Sequence, residues 1–170
     1  ITNTFKDRFD VLFGPAYKGI PLVVTTSIAL HQKSAIDCAI CFNRKEKKDH
    51  GEGGVLVGHQ LQEGDRVLII EDVTTAGTSI RETVPILSKA ASIELAGLIV
   101  SVDRMEQGQS ELSALSQLKQ DYQMETTSIV TLDDIVEYCY NRSFSGNIIL
   151  DDRIKKKIDD YRELYGAKHS

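Results

Sequence analysis

Apolar residues occur along this chain in short, nearly unbroken runs rather than in strict alternation. They read Asp10–Phe13 (DVLF), Gly19–His31 (GIPLVVTTSIALH), Cys38–Phe42 (CAICF), Arg66–Ile70 (RVLII), Leu95–Val102 (LAGLIVSV) and Thr127–Leu132 (TSIVTL), with a helical period near Ser79 to Ala90. Strands apolar at every position are buried on both faces, and their alternation with helical segments predicts a mostly parallel α/β sheet flanked by helices on both sides. Thr131 followed three residues later by Asp134 predicts a capping box, with Leu132, Ile135, Val136 and Cys139 on one face of the helix. Ser110 stands where an N-cap belongs before ELSALSQLKQDY, in which Leu112, Leu115 and Leu118 share a face. A C-terminal helix over about 151–165 should dock through Ile154, Ile158, Tyr161 and Tyr165, leaving Lys155 to Lys157 on its solvated face. Pro85 breaks the period after Ser79 and predicts a kink or a late helix start, and that helix must end near Ala91 and Ser92 without a glycine.

Between Asn43 and Val57 (NRKEKKDHGEGGVLV) the period lapses, and basic side chains, His50 and three glycines gather instead. Glycines make a loop easy to reshape, so 43–57 reads as a mobile lid. On charge alone its lysines also suit a solvated loop face.

With 170 residues, 41% of them apolar, the chain reads as a single domain over 1–170. A net charge of -5 gives no general attraction to nucleic acid or to an anionic membrane, so an anionic ligand must be held by local positive charge. No segment has the length of a membrane span and the first residues carry no signal-peptide pattern, so the expectation is a soluble, cytoplasmic protein. Cys38, Cys41 and Cys139 are too few for a disulfide framework. Cys38 and Cys41 have C-x-x-C spacing, but on a strand they point to opposite faces and read as core. His31, His59 and His169 lack partners at ligand spacing and read as surface or helix-end residues. The chain starts at Ile1 without a methionine and is expected to be a fragment.

Candidate chemistry gathers where the strands end. DVLF runs into Gly14–Gly19 (GPAYKG), RVLII into Glu71 and Asp72, and LIVSV into Asp103 and Arg104. In an open parallel sheet that edge holds the ligand. Carboxylates just beyond a buried strand need hydroxyl donors, a metal or a cation to offset desolvation. The following Thr74 to Ser79 turns into a helix whose first N–H groups suit a phosphate. A ribose 5-phosphate carries both kinds of group, although an ordinary turn before an N-capped helix remains open on spacing alone.

The stretch VLIIEDVTTAGTS (Val67–Ser79) resembles the phosphoribosyl pyrophosphate signature of type I phosphoribosyltransferases. LFGPAYKGIP (Leu12–Pro21), CFNRKEKKDHGEGG (Cys41–Gly54) and SVDRMEQG (Ser101–Gly108) resemble the bacterial orotate phosphoribosyltransferases within that family. The resemblance implies that family's fold and transfer of a 5-phosphoribosyl group from phosphoribosyl pyrophosphate to orotate, in pyrimidine synthesis. It implies that Glu71 and Asp72 hold the ribose hydroxyls, with Val73 leading into a 5-phosphate loop of Thr74, Thr75, Ala76, Gly77, Thr78 and Ser79. Tyr17 and Lys18 would touch phosphoribosyl pyrophosphate, and Arg44, Lys45, Lys48 and His50 its diphosphate. Thr75 and Arg104 would bind orotate, and Lys48, His50 and Asp72 would be catalytic. Magnesium (Mg2+) would bridge diphosphate and ribose near Glu71 and Asp72, and a homodimer would share the 43–57 loop across its interface. Family members also carry an N-terminal hood segment with another lysine and an aromatic pair, which nothing before Asp10 matches. If that hood is truly absent, weak or no turnover is expected despite intact phosphate binding. The rival readings are a phosphoribosyltransferase for a purine or uracil, and a non-catalytic phosphoribosyl pyrophosphate sensor acting on nucleic acid, for which the acidic chain lacks a basic surface.

Overall fold

In the computed structural model, which describes residues 1–45 and 54–168, the apolar runs become the centre of one sheet. In chain order the elements are β1 (Val11–Gly14), α1 (Gly19–Ser34), β2 (Ala39–Asn43), β3 (Leu56–Gly58), β4 (Arg66–Thr74), α2 (Thr78–Ala90) and β5 (Glu94–Asp103). Then follow α3 (Ala114–Tyr122), β6 (Glu125–Thr131), α4 (Leu132–Cys139), β7 (Ser143–Phe144), β8 (Asn147–Ile148) and α5 (Asp152–Tyr165). The main sheet has six strands in the order β3-β2-β1-β4-β5-β6, and β7 and β8 pair separately. All its pairings are parallel except β2 with β3. From β1 the chain builds outward to β2 on one side, then returns to place β4, β5 and β6 on the other. The strand order therefore reverses between β1 and β4, and a crevice opens there at the carboxyl ends of the strands.

Alternation along each strand divides the core in two. Val11, Phe13, Val67, Ile69, Leu98 and Val100 face α2 and α3, while Leu12, Leu68, Ile70 and Ile99 face α1. Cys41 joins the first layer and Cys38 lies against the second, as the opposite-face reading requires. All three cysteines are free, and burial pushes the Cys41 thiol up to about 11. The first residues belong to the α1 layer: Phe5 is fully buried, and a side chain at Gly97 would meet its ring. Among the described residues no helix is long and apolar enough to cross a membrane.

Several local expectations change. The helix expected after Ser110 starts later, capped by Ser113, whose hydroxyl accepts from the Ser116 N–H at 3.2 Å. The delay has a cause: Gly108 N–H donates to Leu112 O and Ala114 N–H to Glu106 O, knitting 106–114 into a turn first. Pro85 does not delay α2, which begins at Thr78 and is continuous to Ala90. Pro85 lies on the exposed side, where water can satisfy the freed Arg81 carbonyl, while Ile80, Thr83, Val84 and Leu87 hold the buried face. The Thr131–Asp134 capping box is present. Of the α5 stripe, Ile154 and Ile158 are half-buried, whereas Tyr161 and Tyr165 are exposed. Within the segment read as a lid, Asn43 and Leu56 pair as the stem of a β2–β3 hairpin and Arg44 N–H donates to Val55 O at 2.7 Å, while residues 46–53 lie outside the described residues. His31 lies in the last turn of α1 against Asp37, whereas His59 is partly buried and 2.8 Å from Asp65; His169 is outside the described residues.

Asp10 and Arg66 tie the start of β1 to the start of β4 with a forked pair of hydrogen bonds at 2.8 and 2.7 Å. The Arg66 hydrogen bond holds the Asp10 carboxyl at about 2 instead of 3.8. A carboxyl depressed in the folded state stabilises above its unfolded pKa and loses that contribution as pH falls through its folded one. Asp10→Asn is therefore expected to lower stability by about 1 kcal/mol or less near neutral pH, the pair being largely solvated. The difference from wild type should fade between about pH 4 and 2, as read by urea unfolding across that range.

Candidate active site

The β1–α1 turn is closed by backbone packing against backbone. A Cβ on Gly14 would meet the Gly19 carbonyl, and one on Gly19 would meet the Gly14 backbone, so the turn Pro15–Lys18 starts and ends at one point. Asn43, at the end of β2, accepts a hydrogen bond from Ala16 N–H at 2.8 Å and fixes the turn from the side. The Ala16–Tyr17 peptide is cis. These constraints leave Tyr17 and Lys18 projecting from the crevice edge, with Tyr17 64% exposed and the Lys45 Nζ 5.5 Å above its ring.

β4 continues through Thr74, so Glu71 and Asp72 lie within the strand rather than beyond it, and the pleat sends them to opposite faces. Glu71 is buried. Its Oε2 accepts from Ser79 Oγ at 2.7 Å and its Oε1 from Asp72 N–H at 3.1 Å. Burial pushes this carboxyl above its ordinary value against the opposing Ser79 hydrogen bond. Asp72 is only partly buried. Burial also raises its carboxyl, but the Lys18 Nζ hydrogen bond at 2.8 Å and the Val73 N–H outweigh that, and Asp72 sits below its ordinary value. The paired acids thus divide into a buried, shape-holding Glu71 and a charged Asp72 facing the crevice beside a cation.

After Thr74 the loop is three residues, Thr75 to Gly77, before α2 begins. Gly77 adopts φ 74°, and its N–H donates to Thr74 Oγ1 at 3.1 Å. A side chain at Gly77 would press on Leu118 of α3, so glycine is required for both space and angle. No side chain caps α2, and the first N–H groups of a helix have no partner within it. Thr75 and Thr78 are exposed beside them, Ala76 is half-buried, and Val73 is a half-buried strand residue. The Ser79 hydroxyl is committed to Glu71.

The register between β4 and β5 sets Thr74 beside Asp103, so Thr75 and Arg104 leave adjacent strand ends together. Asp103 Oδ1 accepts from Met105 N–H at 2.8 Å, and Met105 takes φ 56°, turning the chain sharply after Arg104. The Arg104 guanidinium is half-exposed and touches Glu106 and the hydroxyl of Tyr161, contacts that spacing did not suggest. Across the crevice, a cavity of about 420 Å³ is lined by Ala16, Asn43, Arg44, Lys45, Ser79 and Glu82 among others. Arg44 and Lys45 are thereby brought beside Ser79 and Glu82 of α2, whereas Lys48 and His50 lie outside the described residues. Sequence reasoning missed Asn43, Glu106 and the hydrogen-bonding role of Tyr161. Only Glu106 carried a signal, standing two residues from Arg104 inside SVDRMEQG.

The phosphoribosyl transferase domain model matches residues 1–136. Orotate phosphoribosyltransferase of Clostridium beijerinckii is 55% identical over 168 residues, covering 99% of this chain and 75% of that protein. The protein of the same name from Escherichia coli O139:H28 is 52% identical over 160 residues, covering 94% of this chain and 71% of its own. The crystal structure of orotate phosphoribosyltransferase from Francisella tularensis superposes with a TM-score of 0.72 at 37% identity, covering 93% of this chain and 71% of that one. With a matching domain model over most of the chain and 55% identity to a relative covered to three quarters of its length, this chain belongs to the orotate phosphoribosyltransferase family.

Proposed function

We propose that the protein, acting as one phosphoribosyltransferase domain over 1–170, transfers the 5-phosphoribosyl group from phosphoribosyl pyrophosphate to orotate, giving orotidine 5′-phosphate and pyrophosphate in pyrimidine synthesis. The observation that carries this reading is the convergence at one crevice of the Lys18–Asp72 pair, the uncapped start of α2 and the neighbouring exits of Thr75 and Arg104. Identity of 52–55% to relatives named orotate phosphoribosyltransferase narrows the acceptor to orotate.

In this reading the 5-phosphate lies against the N–H groups of Thr75 to Ser79 and the hydroxyls of Thr75 and Thr78, and Asp72 accepts from the ribose hydroxyls. Glu71, held by Ser79, keeps the end of β4 in place beneath them. A ring nitrogen of orotate, having given up its proton so that it attacks as part of an anion, bonds to the anomeric carbon as the bond to diphosphate breaks, through an oxocarbenium-like state in which charge builds on the departing group. Lys18, Arg44 and Lys45, with Lys48 from the loop, stabilise that charge more in the transition state than in the ground state. His50 supplies a proton to the leaving group. Arg104 takes the orotate carboxylate with a forked pair of hydrogen bonds.

Magnesium fits as a substrate-borne ion. Among the described residues no group of three His, Cys, Asp or Glu side chains could hold a metal, and magnesium commonly binds through one or two carboxylates plus substrate phosphates. When bound it neutralises diphosphate charge beside Asp72. The loop over 43–57 is read as reaching a neighbouring subunit's crevice in a homodimer, and the free thiols suit a cytoplasmic setting.

Orotate is expected to raise the melting temperature in the presence of pyrophosphate, while hypoxanthine, adenine and uracil do not; a purine or uracil winning that comparison would reassign the acceptor. Asp72→Asn should cut kcat/KM for phosphoribosyl pyrophosphate about 100-fold, equivalent to about 2.7 kcal/mol, and unchanged steady-state kinetics would remove Asp72 from the site. Mixing a Lys48→Ala chain with an Arg104→Ala chain should restore part of the activity that each lacks alone, because one crevice in the mixed dimer then has both residues; no recovery on confirmed subunit exchange would argue against sharing.

A further inference from the structure

Among the described residues, a triangle of contacts around Arg104 has no part in the proposed chemistry. Arg104 Nη2 meets Glu106 Oε1 and lies 2.9 Å from Tyr161 Oη, and Tyr161 Oη in turn donates to Glu106 Oε1 at 2.6 Å. Glu106 is 7% exposed, so its charge is held by these two groups rather than by water. The guanidinium also lies 5.9 Å over the Tyr161 ring. Both contacts leave from Nη2, so of the five N–H donors of the guanidinium they do not engage those on Nε and Nη1.

Tyr161 comes from α5, 57 residues along the chain, and its position is not left to a loose helix. Ala167 N–H donates to Met105 O and Gln107 N–H to Tyr165 O, each at 2.9 Å, and Glu106 pairs with Gly166 as a short antiparallel bridge. The C-terminal end of α5 is thus sewn by its backbone to the segment that carries Arg104. An exposed tyrosine on a weakly docked helix gains little from burial. Its hydroxyl is nevertheless placed between a buried carboxylate and the one arginine at this strand end, and the Glu106 hydrogen bond raises its pKa and keeps it a donor.

We infer that Tyr161 and Glu106 are positioning residues for Arg104, presetting its guanidinium to receive a carboxylate on the pyrimidine ring. Glu106 pins one edge of the guanidinium and limits its rotamers. Tyr161 shares the Glu106 charge, so that Glu106 competes less with an incoming carboxylate for the same cation. The C-terminal helix therefore takes part in choosing the base while touching neither the base nor the ribose. This inference rests on the orotate reading, in which Arg104 meets the carboxylate.

Titration calorimetry of the full chain with orotidine 5′-phosphate, uridine 5′-phosphate and ribose 5-phosphate separates the two ideas, because the first two ligands differ only in the ring carboxylate. Wild type should prefer orotidine 5′-phosphate to uridine 5′-phosphate. Tyr161→Phe should shrink that preference about tenfold, the size of one lost hydrogen bond to a charged group, with ribose 5-phosphate affinity within about twofold of wild type. Glu106→Gln, which keeps the shape and one acceptor, should shrink it less than Glu106→Ala, and provides the reading if Tyr161→Phe fails to fold. No preference in wild type would sink the orotate reading and this inference with it. A wild-type preference kept in full by Tyr161→Phe and Glu106→Ala, or an equal fall for all three ligands, would overturn this inference alone and leave the orotate reading standing.

Discussion

A carboxylate buried near the end of a central strand is costly unless every oxygen is occupied, and Glu71 is such a group. Its partners are the Asp72 N–H one residue on and the Ser79 hydroxyl eight residues on. Satisfying Glu71 therefore bends the intervening chain back upon itself. The bend draws the start of α2 over the strand end, and Gly77 accommodates the bend by adopting an angle other residues avoid and by leaving room for Leu118. The loop between β4 and α2 is in this sense a by-product of solvating one acid from within. Core packing of Ile80, Val84 and Leu87 then holds α2 in that pose.

The same site separates charge by depth. Glu71, pushed up by burial, and Asp72, held down chiefly by Lys18, are adjacent in sequence but differ in what they can offer a ligand. Lys18 reaches Asp72 across the point where strand order reverses, so the β1–α1 turn and β4 each contribute one partner of the pair. In the proposed reading, a ligand that takes the Asp72 carboxylate would free the lysine, and the two groups would then serve one substrate as acceptor and donor.

Much of this was legible in the sequence because burial on both faces of a parallel strand leaves an unmistakable run of apolar residues, as in Val67–Ile70. The strand ends, the acid pair and the glycine turn followed from that frame, and Cys38 and Cys41 parted to opposite layers as period two requires. What was not legible depends on tertiary neighbours. Nothing near Ser110 in the chain reveals that Leu112 is bonded back to Gly108, which moves the cap to Ser113. The end of β4 was placed too early because Glu71 and Asp72 look like loop residues until Ser79 and Lys18 are seen to neutralise them. Asn43 lies 27 residues from the amide it holds, and Tyr161 fits a helical stripe equally well whether its ring is buried or its hydroxyl is in use.

The contact of Gly14 with Gly19 leaves the first turn of α1 with no slack. With backbone packed on backbone there, no side chain lies between the two segments to take up a shift, and a tilt of α1 would pivot at that point. A 16-residue helix is about 24 Å long, so a tilt of about 4° there moves its opposite end by about 1.7 Å. The glycine pair is thus a fulcrum, and the His31–Asp37 corner at the far end of α1 is where a small local event would be largest.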